Sequence, residues 1–192
     1  VFSEDISLVA DKLPINEVIN PVSIVKLKDF LVVQNEYISG EDCFYVYSLD
    51  KMKFCFSFGR LGQADGEFIA PMIVQNNTGN SLSIFDSSPD KIFMYDVSDT
   101  STHLIKERKV MDDIYPTQEI SYVNDSIVLF QTMGPFSSKL YSYNLNTNNI
   151  LDTLEFDSGL KEVMDSKYNS NFDFYNLTSV GRKFVVGFNN IN

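Results

Sequence analysis

Apolar residues recur along this chain in short runs, each closed by a polar turn. The first group is Val22–Lys28, Phe30–Tyr37, Cys43–Leu49 and Lys53–Phe58. The second is Met72–Asn76, Ser81–Asp86, Lys91–Val97 and His103–Val110, and the third is Gln118–Val123, Ser126–Thr132, Lys139–Leu145 and Ile150–Phe156. Runs this short, rich in β-branched and aromatic residues and bounded by turn formers, read as strands. Turns such as Lys28-Asp29, Asn77–Asn80 and Asn124-Asp125 join them into meanders. The second strand of each group is nearly continuous in apolar residues (Leu31-Val32-Val33, Leu82–Phe85, Ile127–Phe130), as a strand covered on both faces should be. The third and fourth alternate more, as strands nearer solvent should.

Three tyrosines set the period. Tyr47, Tyr95 and Tyr143 follow one another at an interval of 48 residues, and each ends the same kind of strand. A fixed interval of this size marks copies of one supersecondary unit. Four-stranded units of ~40–50 residues describe β-propeller blades. The predicted fold is therefore all-β, a propeller with blades at about 21–58, 71–110, 117–156 and 176–192. The last unit holds two strands, Asn176–Arg182 and Lys183–Phe188, while Ile6–Leu13 reads as a leading strand without a partner in its own unit. Two readings stay open. The chain is a section of a longer propeller, or its leading strand closes a ring of four. The insertion at Asp157–Tyr175, where Ser158–Lys167 has the pattern of a short helix, breaks the period and favours the first.

A second argument lies between Phe58 and Asp96. Phe58-Gly59-Arg60-Leu61-Gly62 is followed by Gly66-Glu67-Phe68, Pro71, Gly79-Asn80, Asp86, Lys91-Ile92 and Tyr95-Asp96. This resembles the blade pattern of NHL repeats, and more closely the TolB-like six-bladed propellers of Bacteroidetes with their G-R-x-G-x-x-x-G-E-F junction. The resemblance implies six blades around a central channel and an extracytoplasmic place, in the periplasm or at the cell surface. It carries no assigned activity. Some NHL-type propellers are zinc-dependent lyases built on several histidines; this chain has His103 alone. The junction has its own physics. Gly59, Gly62 and Gly66 permit positive φ where the chain crosses between blades, Phe68 can anchor the loop between blades, and Pro71 stiffens entry to the next inner strand. A phosphate cradle would need a following helix and usually a lysine, whereas here a strand follows and Glu67 adds negative charge.

Composition narrows the function classes. Phe and Tyr number 16 and 10 with no Trp, which suits half-buried pleated surfaces. The formal net charge is −11, so phosphate backbones and anionic lipid are repelled. Nucleic acid is excluded as a partner on this ground. No apolar run approaches the roughly 20 residues needed to span a bilayer, so this segment is not expected to insert in a membrane. The chain opens on Val1 rather than Met, which leaves an exported origin open. A two-residue turn at Asp50-Lys51 would place Cys55 opposite Val46 rather than Cys43, so both cysteines are read as free, half-buried thiols.

Chemistry is thin. One histidine cannot supply a Ser-His-Asp site with no nucleophile turn near it, nor a zinc centre. No cofactor is expected. Calcium is the one metal the loop acids suggest, at Asp112-Asp113 or at Asp86 with Asp90. Propellers bind on the face formed by the blade junctions and the loops between second and third strands. Here these are Tyr37–Asp42, Gly59–Ala70, Asp86–Asp90, Met111–Pro116, Met133–Ser138 and Asp157–Tyr175. The candidate ligand-binding residues on that face are Arg60, Glu67, Asp112, Asp113 and Tyr115. Arg60 is a rare cation there, and an ion pair with Glu67 or Asp65 is the expected arrangement. The sequence favours a non-catalytic module recognising a protein, peptide or glycan. The alternative is a hydrolase or lyase using the central channel, with or without a cation. A lesser reading is self-association through open propeller edges.

Overall fold

The computed structural model describes residues 15–36, 40–75, 77–110, 117–133, 137–157, 174–180 and 183–188. The expected strand Ile6–Leu13 and the helical turn in Ser158–Lys167 lie outside these residues.

The described residues form strands and turns, without helix. β1 (Pro21–Lys26), β2 (Phe30–Asn35), β3 (Asp42–Ser48) and β4 (Lys53–Arg60) pair in chain order as an antiparallel meander. β5 (Pro71–Ile73), β6 (Ser81–Asp86), β7 (Lys91–Val97) and β8 (Thr102–Lys109) repeat the arrangement. So do β9 (Thr117–Asn124), β10 (Ile127–Met133), β11 (Ser137–Asn144) and β12 (Asn149–Asp157). β13 (Phe174–Val180) and β14 (Lys183–Phe188) form a two-stranded start of a fourth sheet.

The sheets pack face to face. Along β6 the side chains alternate: Leu82 and Ile84 join the core shared with the first sheet, and Phe85 joins the core shared with the third. This double coverage is why second strands need apolar residues at successive positions. First strands lie side by side about a common axis. β1 contacts β5, and β13 contacts β9. Between β5 and β9 a parallel bridge joins Gln75 and Ser121, with Gln75 N donating to Ile120 O at 2.9 Å and Tyr122 N to Gln75 O at 3.1 Å. This is the packing of propeller blades. The described residues form no closed ring.

The periodic tyrosines mark a recurrent bulge. The register between third and fourth strands shifts at Val46/Tyr47, at Met94/Tyr95 and at Ser142/Tyr143. An extra residue on the fourth strand is left unopposed each time: Cys55, Ile105 and Leu151. A bulge increases local twist and turns its extra side chain out of register. Ile105 and Leu151 are accordingly exposed apolar residues.

Several sequence expectations need correction. The β3–β4 turn spans four residues, Leu49–Met52, with Met52 at a left-handed φ of 49°. Ser48 and Tyr47 keep the expected register with Lys53 and Phe54, but the bulge then sets Val46 opposite Phe56, so Cys55 faces neither Val46 nor Cys43. Cys43 is fully buried rather than half-buried, while Cys55 is intermediate; both thiols are free. The strand expected over Met72–Asn76 ends at Ile73: Val74 N still donates to Ser83 O on β6 at 2.9 Å, but Gln75 turns to the neighbouring sheet, its N donating to Ile120 O at 2.9 Å, and Asn76 lies outside the described residues.

Candidate functional site

The crossing from β4 to β5 is built from the inside outward. Gly59 has φ of +82°, and a Cβ there would lie 2.6 Å from Cδ2 of Phe44, so the ring occupies the space a side chain would need. Phe68 is buried and stacks edge-on against Phe44 at 5.8 Å and against Phe93 at 5.5 Å. It thus fills the space between the first two sheets. Leu61 and Phe68 form an isolated parallel bridge, with Phe68 N donating to Arg60 O at 3.0 Å and Gly62 N to Phe68 O at 2.9 Å.

Glu67 closes the loop on itself. Its Oε2 accepts from Ala64 N at 3.0 Å, and its carboxylate lies over Gly62, where a Cβ would sit 1.8 Å from Oε2. Gly66 has φ of +84° with open space around it, so its requirement is conformational. Beyond Phe68 the chain is held by Asp86. That buried carboxylate accepts from Ile69 N at 2.9 Å and Ala70 N at 2.8 Å. Pro71 opens β5, and its carbonyl accepts from Gln34 Nε2 at 2.8 Å while Ile73 N donates to Gln34 Oε1 at 3.1 Å. One buried glutamine therefore clamps the first sheet to the inner strand of the second.

The arrangement leaves Arg60 exposed at the end of β4, level with Asp42 on β3. The expected pairing with Glu67 or Asp65 is not made. Glu67 is turned back onto the loop backbone, and neither it nor Asp65 forms an ion pair with Arg60. Ile69 stands beside Ala70 with 48% of its surface exposed. Asp112, Asp113 and Tyr115 lie outside the described residues. The Asp86–Asp90 cation pair is also corrected, because the Asp86 carboxylate is buried against backbone amides. Among the described residues no group of three or more His, Cys, Asp and Glu is placed to hold a metal ion. His103 lies exposed on β8, opposite Asp96.

Burial holds several ionisable groups neutral, Cys43 near the junction and Tyr47 and Tyr95 toward the other end of the strands. Burial, with help from Asp42 and Asp86, pushes the Cys43 thiol up to about 11. Burial and then Glu107 push Tyr95 up to about 12. Burial, and then the hydrogen bond that Tyr47 donates to Glu17 at 3.0 Å, raise the Tyr47 phenol as well. A buried thiol protonated this firmly is no nucleophile.

Sequence reasoning missed Gln34 and the structural role of Asp86. The available signal was position. Gln34 and Asp86 are polar residues within apolar second strands, and Asn35, which holds in its own repeat the place Asp86 holds in the next (opposite Pro21 as Asp86 is opposite Pro71), accepts from Asn20 N at 2.8 Å just ahead of β1. It also missed a cleft at the other end of the strands, lined by residues including Asn77, Ser83, Tyr122 and Asp125.

Comparison with known proteins adds a fold. A crystal structure of a protein named "Putative exported protein" from Bacteroides fragilis is similar, with a TM-score of 0.52 and 23% sequence identity. The match covers 77% of this chain and 42% of that one, so this chain spans less than half of its neighbour's length. No protein-family model matches, and no curated protein matches. The likeness establishes a shared sheet-rich architecture; TolB-like or NHL membership is not established by it.

Proposed function

We propose that this chain is part of an exported six-bladed propeller of the TolB-like, NHL-related kind, acting as a non-catalytic binding module in the bacterial envelope. It recognises a protein, peptide or glycan through the junction face. The Phe58–Gly62 and Gly66–Phe68 motif supports the family reading, and the name of the Bacteroides fragilis neighbour supports the extracytoplasmic place. The observation that carries the binding reading is the state of Arg60 and Ile69. Both are exposed on a segment whose backbone is fixed by Glu67 and Asp86. Fixing a loop before binding reduces the entropy lost on association. A cation and an apolar side chain, both exposed on segments joined by the Phe68 N to Arg60 O hydrogen bond, with the cation free of its expected partners, form a small mixed surface suited to recognition. The hydrolase or lyase alternative draws no support from any cluster of the described residues.

The test is a screen of the purified chain on peptide and glycan arrays, repeated with Arg60→Ala and Ile69→Ser. The expected result is a ligand that both variants lose while their melting temperatures stay within a degree or so of the parent. Ligands retained equally by both variants would remove the junction face from the account.

A further inference from the structure

The turns that open each second strand occupy matched positions: Asp29 precedes β2, Asn80 precedes β6 and Ser126 precedes β10. Between the first and second sheets these turns are zipped together. Asp29 N donates to Asn80 Oδ1 at 3.0 Å, Asn80 Nδ2 donates to Asp29 Oδ2 at 2.8 Å, and Lys28 N donates to Gly79 O at 2.8 Å. Between the second and third sheets the described residues make no such lock. Asn80 is already engaged by Asp29, and the Ser126 hydroxyl accepts from Asn146 Nδ2 at 2.8 Å within its own sheet.

That gap is an open cleft of about 340 Å³. It lies where β5 and β9 end, whereas the junction face lies where β5 begins, so the two are at opposite ends of the strands. Its floor is built. Asn77 is fixed twice, Nδ2 donating to Val74 O at 2.5 Å and Oδ1 accepting from Ser83 N at 2.8 Å. The buried Ser83 hydroxyl lies 3.1 Å from the Tyr122 hydroxyl, a hydrogen bond across the gap. Around this floor stand the hydroxyls of Thr78 and Ser81, the exposed Asp125 carboxylate and the half-buried Met94 and Tyr122.

We propose that this cleft binds a neutral saccharide of one or two rings. Hydroxyls and a carboxylate supply closely spaced donors and acceptors of the kind that sugar hydroxyls satisfy. Met94 and Tyr122 supply apolar surface for the C–H face of a ring. None of the lining residues is cationic, so a phosphate or carboxylate ligand would lack a counter-charge in the wall. The volume sits at the small end of the ~300–1,000 Å³ range of ligand sites, large enough for a sugar and too small for a peptide helix.

The site is independent of the junction-face reading, and its failure would leave that reading in place. The experiment is a ¹H–¹⁵N titration of the chain with glucose, galactose, mannose and N-acetylglucosamine, each taken to tens of millimolar. At least one sugar is expected to give saturable shifts at the amides of Asn77, Ser81, Tyr122 and Asp125. Asp125→Ala should weaken that sugar about tenfold, the effect of one hydrogen bond to a charged group. Lys53→Ala, at an exposed position on the outer strand of the first sheet, should leave it unchanged. Four sugars without saturable shifts, shifts confined to the junction face, or an affinity indifferent to Asp125→Ala would each overturn the proposal. So would tighter binding of the diamine putrescine than of every sugar.

Discussion

Gly59 and Gly66 share a positive φ but differ in what surrounds them, and this difference can be measured. Gly66→Ala meets open space, so it should cost about 1 kcal/mol, the strain of a left-handed residue. Gly59→Ala carries the same strain and also drives a methyl into Phe44, raising the expected loss to about 3 kcal/mol. Urea unfolding of both variants checks the ordering; equal losses would contradict the packing described at Phe44. A second prediction concerns alkaline pH. The folded chain keeps protons on Cys43 and Tyr95 that the unfolded chain releases at the ordinary thiol and phenol values. Their contribution is therefore complete below the ordinary values and is lost as pH rises through the raised ones. The urea midpoint should fall as pH goes from 9 to about 11, and Cys43→Ala should flatten part of that slope. A midpoint independent of pH across this range would count against a desolvated thiol. At this scale the sequence was legible where backbone geometry decides, as at Gly59 and Gly66; Gly62 was expected to share their positive φ and does not, its missing side chain instead making room for the Glu67 carboxylate. It misled at Glu67, because a charge beside Arg60 suggests a pair while the nearer backbone amide of Ala64 wins the carboxylate.

At the scale of elements, the strands were legible because their apolar runs are long relative to their turns; β6, β7 and β14 fall at their expected bounds. The bulges were not, since one unopposed residue in a fourth strand leaves the alternation of its neighbours nearly intact. Asp86 was read as a turn former and cation ligand because aspartate at a strand end is common in turns. Its burial depends on the incoming loop, a contact between distant residues that no local pattern records. Asp86→Ala should orphan the amides of Ile69 and Ala70 and cost about 2–4 kcal/mol, and Asp86→Asn should cost less by keeping an acceptor. Hydrogen exchange at those two amides is the specific readout. It should accelerate in the alanine variant ahead of exchange in β6 itself, and uniform acceleration would mean that Asp86 stabilises the sheet rather than the junction.

For the whole molecule, the interval of the tyrosines conveyed the repeat, but not how successive sheets are fastened. Gln34 does this at one end and the Asp29–Asn80 turn lock at the other. Among the described residues that lock is not repeated between the second and third sheets, where the cleft lies, so no single segment of sequence announces it. The account rests on inner strands that run alongside one another around an axis instead of merging into one sheet. A ¹⁵N-edited NOESY spectrum tests this most directly, at the bridge between Gln75 and Ser121. Close contacts are predicted from the Gln75 amide to Ser121 and from the Tyr122 amide to Gln75, together with those between each strand and its meander neighbour. A spectrum in which β5 and β9 show no mutual contacts, or in which either pairs with an outer strand of the next sheet, would contradict the blade arrangement.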